Sequence, residues 1–84
     1  MTTNALYQEI LSKQNPALVP GLARFFKTAP GQYGFGDKFL GIKVPTVREV
    51  VKNQWQNTTF EDLEECVTSE YHEMRLAALL TLVQ

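Results

Sequence analysis

The chain has few of the residues that disulfides, metal sites and nucleophilic catalysis require. Its 84 residues include one cysteine, Cys66, and one histidine, His72. A single cysteine cannot form an internal disulfide, and a structural zinc site needs about four cysteine or histidine ligands. His72 has no nucleophile positioned beside it, and Cys66 lies in an acidic stretch that disfavours the thiolate. We therefore expect no disulfide, no metal and no catalytic role for either residue.

Long apolar runs and targeting signals are also missing. No run of apolar residues reaches the length of about 18 that a transmembrane helix needs. The first 15 residues have neither the basic start nor the unbroken apolar stretch of a secretory signal peptide. Because the chain also has a free thiol, we expect it to act in the reducing cytoplasm, without a membrane partner.

Size and composition indicate one small globular domain. Apolar residues make up 44% of the chain and charged residues 20%, which is ordinary for a folded protein and argues against disorder. A domain of this size buries only about 60–65% of the surface that its unfolded chain exposes, so its core is modest. Such a domain lies near the lower limit of independent stability and gains from contact with a neighbour.

The net charge of −1 hides an asymmetry along the chain. Residues 1–57 carry seven basic and three acidic groups, whereas residues 58–84 carry one basic and six acidic groups. The first part therefore has a net charge of +4 and the second a net charge of −5. This separation is compatible with a basic face for an anionic partner, and equally with ordinary solvated helix surfaces.

The spacing of apolar residues predicts an all-α fold. Tyr7, Ile10 and Leu11 illustrate the i, i+3, i+4 spacing that is typical of amphipathic helices. Between residues 28 and 44 this spacing is lost, and five prolines and glycines predict a long loop. Five helices are expected, at residues 3–14, 19–27, 45–56, 59–69 and 71–84.

Two of these helices have further sequence signals. The apolar residues expected to share one face of the third helix are Val47, Val50, Val51 and Trp55. A Thr58–Thr59 pair precedes Glu61 and Asp62 at the spacing of a capping box, which indicates the start of the fourth helix.

The last predicted helix, residues 71–84, is apolar almost all round and ends at Gln84 without a glycine cap. A helix of this kind needs cover on both sides. Two arrangements provide such cover. One is an α-solenoid of helix pairs from which terminal repeats are missing, and the other is self-association through the apolar face of helix 71–84. The missing end signals favour the incomplete α-solenoid.

The junction between the long loop and the third helix is the candidate binding site. The N–H groups at a helix start attract phosphate, and neighbouring hydroxyl and basic side chains add hydrogen bonds and charge. An ordinary capped helix with solvated lysines is the alternative interpretation. The residues expected to contact the phosphate backbone of DNA are Lys38, Lys43, Val44, Pro45, Thr46, Arg48 and Lys52.

Three segments of the sequence resemble a known family. Phe25–Gly34 (FFKTAPGQYG) and Gly36–Pro45 (GDKFLGIKVP), followed by Arg48, are similar to the N-terminal region of the DNA alkylation repair enzymes, which are AlkD-like DNA glycosylases. His72–Leu79 (HEMRLAAL) resembles a later helix of the same family. The resemblance extends from about Leu22 to Leu82, which is most of the chain.

The resemblance implies a fold, a partner and an activity. The implied fold is a HEAT-like, armadillo-type α-α superhelix whose concave basic face holds double-stranded DNA. The implied activity is excision of alkylated purines that carry the alkyl group at N3 or N7, with no metal or organic cofactor. Lys43, Val44, Pro45 and Arg48 match a DNA-facing part of the family, and Arg48 is the firmest phosphate contact.

The family's catalytic acid and its lesion-contacting tryptophans belong to later repeats, beyond Gln84. The resemblance therefore implies an N-terminal fragment that contacts the DNA backbone and has no catalytic residue of its own. Trp55 is not expected to contact the lesion, because it lies on the apolar side of its own helix. The alternative function is a non-catalytic helical-repeat module that binds a protein partner. Binding to DNA should weaken steeply with salt, whereas an apolar interface should hardly respond.

Overall fold

The computed structural model describes residues 3–25 and 38–84, which are all-helical apart from turns, short extended segments and one isolated β-bridge. The five α-helices of these residues are α1 (Ala5–Ser12), α2 (Val19–Phe25), α3 (Val44–Gln54), α4 (Phe60–Val67) and α5 (His72–Leu82). Short 3₁₀ turns at Pro16–Leu18 and Trp55–Asn57 precede α2 and follow α3. The predicted all-α fold is confirmed, and the helices pack as in an α-solenoid. None of the described helices has the length and apolar character needed to cross a membrane.

The helices are shorter than the ranges expected from the sequence. α1 ends at Ser12 instead of residue 14, and α4 ends at Val67 instead of residue 69. α3 begins at Val44, one residue before Pro45, and ends in the 3₁₀ turn that contains Trp55. The expected end of the second helix at residues 26–27 and most of the expected loop, residues 28–37, lie outside the described residues.

The core is built around α5, which packs against α1, α3 and α4. Met74, Ala77 and Ala78 of α5 are fully buried and face the other helices. The remaining core residues come from α1, the segment before α3, α3 itself and α4: Leu6, Ile10, Leu40, Ile42, Val47, Val50, Val51 and Cys66. The three valines confirm the predicted buried face of α3, whereas Trp55 lies beyond the end of that helix and is 37% exposed.

Polar caps fix two helix starts. Thr59 and Asp62 form the capping box that the sequence predicts, with each side chain bonded to the backbone N–H of the other residue. Asn4 caps α1 by accepting the N–H of Tyr7 at 3.1 Å. The buried amide of Asn4 also donates to the carbonyl oxygen of Asp62 at 2.9 Å, so that one side chain joins the start of α1 to α4.

The second side of α5 is exposed. Leu82 is 61% exposed, and Leu79 and Val83 are also more than half exposed. Together with Phe60, which is 85% exposed, and Val67 of α4, these residues form an apolar surface that we call the α4–α5 patch. A groove of about 270 Å³ runs along it and is lined by Phe60, Leu63, Glu64, Val67, Ala78 and Leu82.

Candidate nucleic-acid interface

The segment that leads into α3 is held against the start of α5. We call residues 38–42 the docked segment. Lys38 and Tyr71 form an isolated parallel β-bridge, and the N–H of His72 donates to the carbonyl oxygen of Lys38 at 2.8 Å. The ammonium of Lys38 lies 3.2 Å from the carboxylate of Glu70 in an exposed ion pair, and the rings of Phe39 and His72 pack with centroids 4.8 Å apart. The chain is thus anchored just before the candidate site.

Glu73 supplies the most extensive contact to the docked segment. Its side chain is only 2% exposed, and its two carboxylate oxygens accept three successive backbone N–H groups. The distances are 2.9 Å from Leu40, 3.0 Å from Gly41 and 3.1 Å from Ile42. A buried carboxylate is costly unless hydrogen bonds replace its hydration, and three charge-assisted bonds from backbone donors do so here.

The docked segment is held from its other side by the connection between α1 and α2. The N–H of Asn15 donates to the carbonyl oxygen of Leu40 at 2.9 Å. Gly41 has a φ of 87°, which side chains other than glycine rarely adopt. A Cβ atom at Gly41 would also collide with the backbone carbonyl oxygen of Asn15. Only glycine therefore allows this close passage between Asn15 and Glu73.

The first turn of α3 begins directly after the docked segment. Lys43 is the N-cap residue, and its carbonyl oxygen accepts the N–H groups of Thr46 at 3.0 Å and Val47 at 3.2 Å. Pro45 has no N–H to donate. The Val44 amide is therefore the one N–H of this turn that has no backbone acceptor among the described residues. The helix start offers fewer free donors than the sequence interpretation assumed, so side-chain charge has to provide most of any phosphate affinity.

Three cations stand on the exposed side of this junction. Lys43, Arg48 and Lys52 are exposed, and within residues 3–25 and 38–84 none of their side chains forms an ion pair or a hydrogen bond. Arg48 and Lys52 are four residues apart and share one helix face, opposite the buried valines. From Lys43, the N-cap, to Lys52 the helix rises about 13 Å, so the three charges lie within a short stretch of the chain, which we call the basic row. The exposed carboxylate of Glu49 lies beside this row and reduces its net charge.

The structure brings most of the predicted site residues together. Lys43, Val44, Pro45, Thr46 and Arg48 lie within the first turns of α3, and Lys52 follows one turn later. Val44 and Pro45 are exposed, whereas Thr46 is half-buried. Lys38 differs from the others because it precedes the junction by five residues and is paired with Glu70. Lys38 thus helps to hold the docked segment, mainly through its backbone, and its contact with DNA stays a prediction.

Glu73, Asn15 and Asn4 were not identified from the sequence. The sequence does contain a feature that could identify Glu73. It is an acidic residue in a mostly apolar helix, four positions before Ala77 and on the same buried side. A lone carboxylate on an apolar face needs a partner, which predicts a contact without naming it. Asn15 acts through its backbone, and no side-chain pattern identifies such a role.

Cys66 and His72 take positions that agree with packing roles. Cys66 is fully buried in α4, and burial raises the pKa of its thiol to about 11. The thiol therefore stays protonated near neutral pH, where a reactive cysteine would be a thiolate. His72 is half-buried at the start of α5, against Phe39. The described residues contain no group of three His, Cys, Asp or Glu side chains that could hold a metal ion.

Comparison with known proteins identifies one family. The family model described as DNA alkylation repair enzyme matches residues 6–84, which include the docked segment, the junction and nearly all of the five helices. No curated protein and no solved structure matches the chain.

Proposed function

The chain belongs to the DNA alkylation repair enzyme family, and from that premise we propose that residues 43–52 bind the phosphate backbone of double-stranded DNA. The match confirms the resemblance seen in the sequence. In this proposal the intact protein acts on DNA that carries N3- or N7-alkylated purines. The chain described here contributes a contact to the DNA backbone.

The basic row of Lys43, Arg48 and Lys52 is the observation on which this proposal rests. Its side chains are exposed, while the opposite face of α3 is buried in the core. Exposed cations attract the phosphate backbone, and contacts of this kind position a protein on the duplex without reading its sequence. The docked segment fixes the start of the helix that presents these cations.

We assign the excision step to residues other than those described here. Hydrolysis of a glycosidic bond depends on a carboxylate that positions or activates water beside the sugar. The carboxylate of Glu73 is buried and accepts three N–H groups, so it is not available to a substrate. The exposed carboxylates of Glu61 and Glu64 belong to α4, which is separate from the basic row. Glu49 is exposed beside the row, but the resemblance to the family implies a catalytic acid in later repeats and assigns Glu49 no role. A HEAT-like repeat arrangement and a cytoplasmic location stay predictions.

Salt-dependent binding to a DNA duplex tests this proposal. Arg48→Ala should weaken binding to duplexes of any sequence and lower the slope of log Kd against log salt by about one unit, because one phosphate contact is lost. Lys13→Ala is the matched control, since Lys13 is an exposed cation at the end of α1, outside the junction. An equal loss in both variants, or binding that does not respond to salt, would contradict the assignment to α3.

A second candidate function is a protein-interaction module, and the exposed α4–α5 patch favours it. Phe60, Leu79 and Leu82 expose large apolar side chains on two adjacent helices, which is typical of surfaces that contact another protein or a second copy. Leu82→Glu should then abolish association in sedimentation experiments, and the association should be insensitive to salt. If the variant and the wild-type chain sediment identically as monomers, self-association through this patch is wrong.

A further inference from the structure

We propose that Glu73 is a positioning residue for the DNA-binding junction: its buried carboxylate sets the place and direction of α3. This inference rests on the proposed function, because it assigns Glu73 a part in DNA binding through Lys43, Arg48 and Lys52. Glu73 itself is buried and does not contact DNA in this proposal.

The carboxylate of Glu73 fills a concave site made by the backbone. Three successive N–H groups, from Leu40, Gly41 and Ile42, converge on its two oxygens within 3.1 Å. Successive amides converge in this way only when the backbone between them turns, and the φ of 87° at Gly41 provides that turn. Concave sites of this type bind anions, and here the anion is a side chain of the same protein.

The contact of Glu73 with the amides of residues 40–42, which we call the clamp, lies directly next to the basic row. Ile42, whose N–H is held by Glu73, precedes Lys43, and the carbonyl oxygen of Lys43 accepts the first two helical bonds of α3. A shift of Ile42 therefore moves the N-cap and with it the first turn of the helix. Arg48 lies one turn further along the same helix, so its guanidinium moves with that turn.

Glu73 connects this junction to the helix at the centre of the core. It lies in the first turn of α5 beside Met74, which is fully buried, and α5 packs against three other helices. The exposed Lys38–Glu70 pair anchors the same segment, but an exposed pair holds a backbone weakly. The buried carboxylate with three donors is therefore the stronger restraint on the start of α3.

Glu73→Gln tests the proposal with minimal change of shape. The glutamine keeps one acceptor oxygen, loses the charge, and turns its NH₂ group toward backbone donors. We expect faster hydrogen exchange at the amides of Leu40, Gly41 and Ile42, and a Kd for duplex DNA that is about tenfold weaker, because the cations are no longer held in place. Met74→Ala is the control for lost packing: it removes a fully buried side chain from the same turn of α5 but leaves the carboxylate of Glu73 and its three N–H donors in place.

A double-mutant cycle separates positioning from general destabilisation. If Glu73 acts through the basic row, Glu73→Gln should weaken binding by a smaller factor, about threefold instead of tenfold, when Arg48 is already alanine, because only Lys43 and Lys52 then remain to be positioned. Met74→Ala should have the same effect on binding with and without Arg48. Equal effects of Glu73→Gln in both backgrounds would overturn the positioning role, because the loss would then not pass through Arg48.

The outcomes distinguish this inference from the proposed function. If the wild-type chain does not bind duplex DNA, both are overturned. If it binds and Glu73→Gln speeds exchange of the three amides but leaves Kd unchanged, only the positioning role is overturned. If Glu73→Gln does not fold, Glu73→Asp replaces it in the same cycle, since aspartate keeps the charge but shortens the reach to the amides. A folded Glu73→Asp variant in which the amides of Leu40, Gly41 and Ile42 exchange faster, but whose Kd for duplex DNA is unchanged, would likewise overturn the role.

Discussion

The junction at the start of α3 and the α4–α5 patch are both exposed, but they differ in what lies beneath the exposed groups. At the junction, charged side chains extend from a backbone that is fixed from two sides by Asn15 and Glu73. In the patch, large apolar side chains extend from regular helices, and no special backbone geometry supports them. Exposure alone thus does not indicate which surface has a fixed geometry. The energetically costly features beneath the junction, a positive φ and a buried carboxylate, do indicate it.

The same helix serves both regions. The first turn of α5 holds the docked segment through Glu73, and its last turns expose Leu79 and Leu82. The two regions should therefore respond differently to equivalent substitutions: the junction should lose stability and DNA binding, and the patch should lose only association with another molecule.

The largest effect is expected at Gly41. Gly41→Ala places a Cβ atom against the carbonyl oxygen of Asn15 and forces a side chain into a φ of 87°, so the docked segment has to move. We expect a loss of about 4 kcal/mol in the free energy of unfolding, measured by urea denaturation.

Gly21→Ala is the matched control for this change. Gly21 lies inside α2, and a Cβ atom added there would meet open space, so alanine should be neutral or stabilise by about 0.5 kcal/mol. Similar losses in the two variants would contradict the close passage at Gly41.

The next largest effect is expected when leucine is replaced by alanine in each of the two regions. Leu40 of the docked segment is 4% exposed and belongs to the core, so Leu40→Ala should cost about 3 kcal/mol of unfolding free energy. Leu82→Ala in the patch should cost less than about 0.5 kcal/mol, because that side chain is mostly in water. If thermal unfolding gave the reverse order, the assignment of core and surface would be wrong.

A third prediction concerns pH and the buried thiol of Cys66, which lies in α4, one of the two helices that carry the patch. The pKa of Cys66 is raised by burial to about 11 from an ordinary value of 9.0. The folded state thus keeps this proton to a higher pH than the unfolded state does. Its contribution to stability is full below pH 9 and is lost as the pH rises to about 11, a change of roughly 2 to 3 kcal/mol.

Cys66→Ala should remove this part of the pH dependence, measured by chemical denaturation from pH 8 to pH 11.5. The quantity to compare is the slope of the free energy of unfolding against pH, because the substitution also changes the absolute stability. Burial also raises the pKa of Tyr7, which contributes a loss in the same direction, and the variant retains the part of that contribution that comes from burial. Identical slopes for the two proteins would show that the thiol does not titrate in this range.

The smallest effect is expected for the ion pair at the outer end of the docked segment. Lys38 and Glu70 are both more than half exposed, so water and salt screen their attraction. Glu70→Gln should change the free energy of unfolding by less than about 0.5 kcal/mol and leave DNA binding intact. A tenfold loss of binding would instead assign the anchoring of the junction to this pair.

The helices were predictable because their signals are local. The spacing of Val47, Val50 and Val51 identified the buried face of α3, and the threonine pair before α4 identified its capping box. The end of α3 was missed at Trp55, because a 3₁₀ turn has nearly the same apolar spacing as the last turn of a helix.

The support of the junction was not predictable because its contacts are distant in sequence. Glu73 reaches backbone donors 31 to 33 residues away, and Asn4 reaches Asp62 across 58 residues. A sequence shows that a buried carboxylate or amide needs partners, but the partners here are backbone groups, which every residue has. The basic row itself was visible in the sequence, and its fixed geometry was not.

The contact between Glu73 and the docked segment also constrains the order in which the molecule assembles. Residues 40–42 precede their carboxylate partner by more than 30 positions, so a chain that grows from its N-terminus makes α3 before it makes the clamp. Closing a loop of this length costs entropy that only the later packing of α5 recovers. The basic row therefore acquires its final geometry after α5 has been synthesised and has folded onto the other helices. In a nascent chain these cations would lie on a helix whose start is still unrestrained. The proposed DNA contact would gain its fixed geometry only when α5 packs onto the other helices.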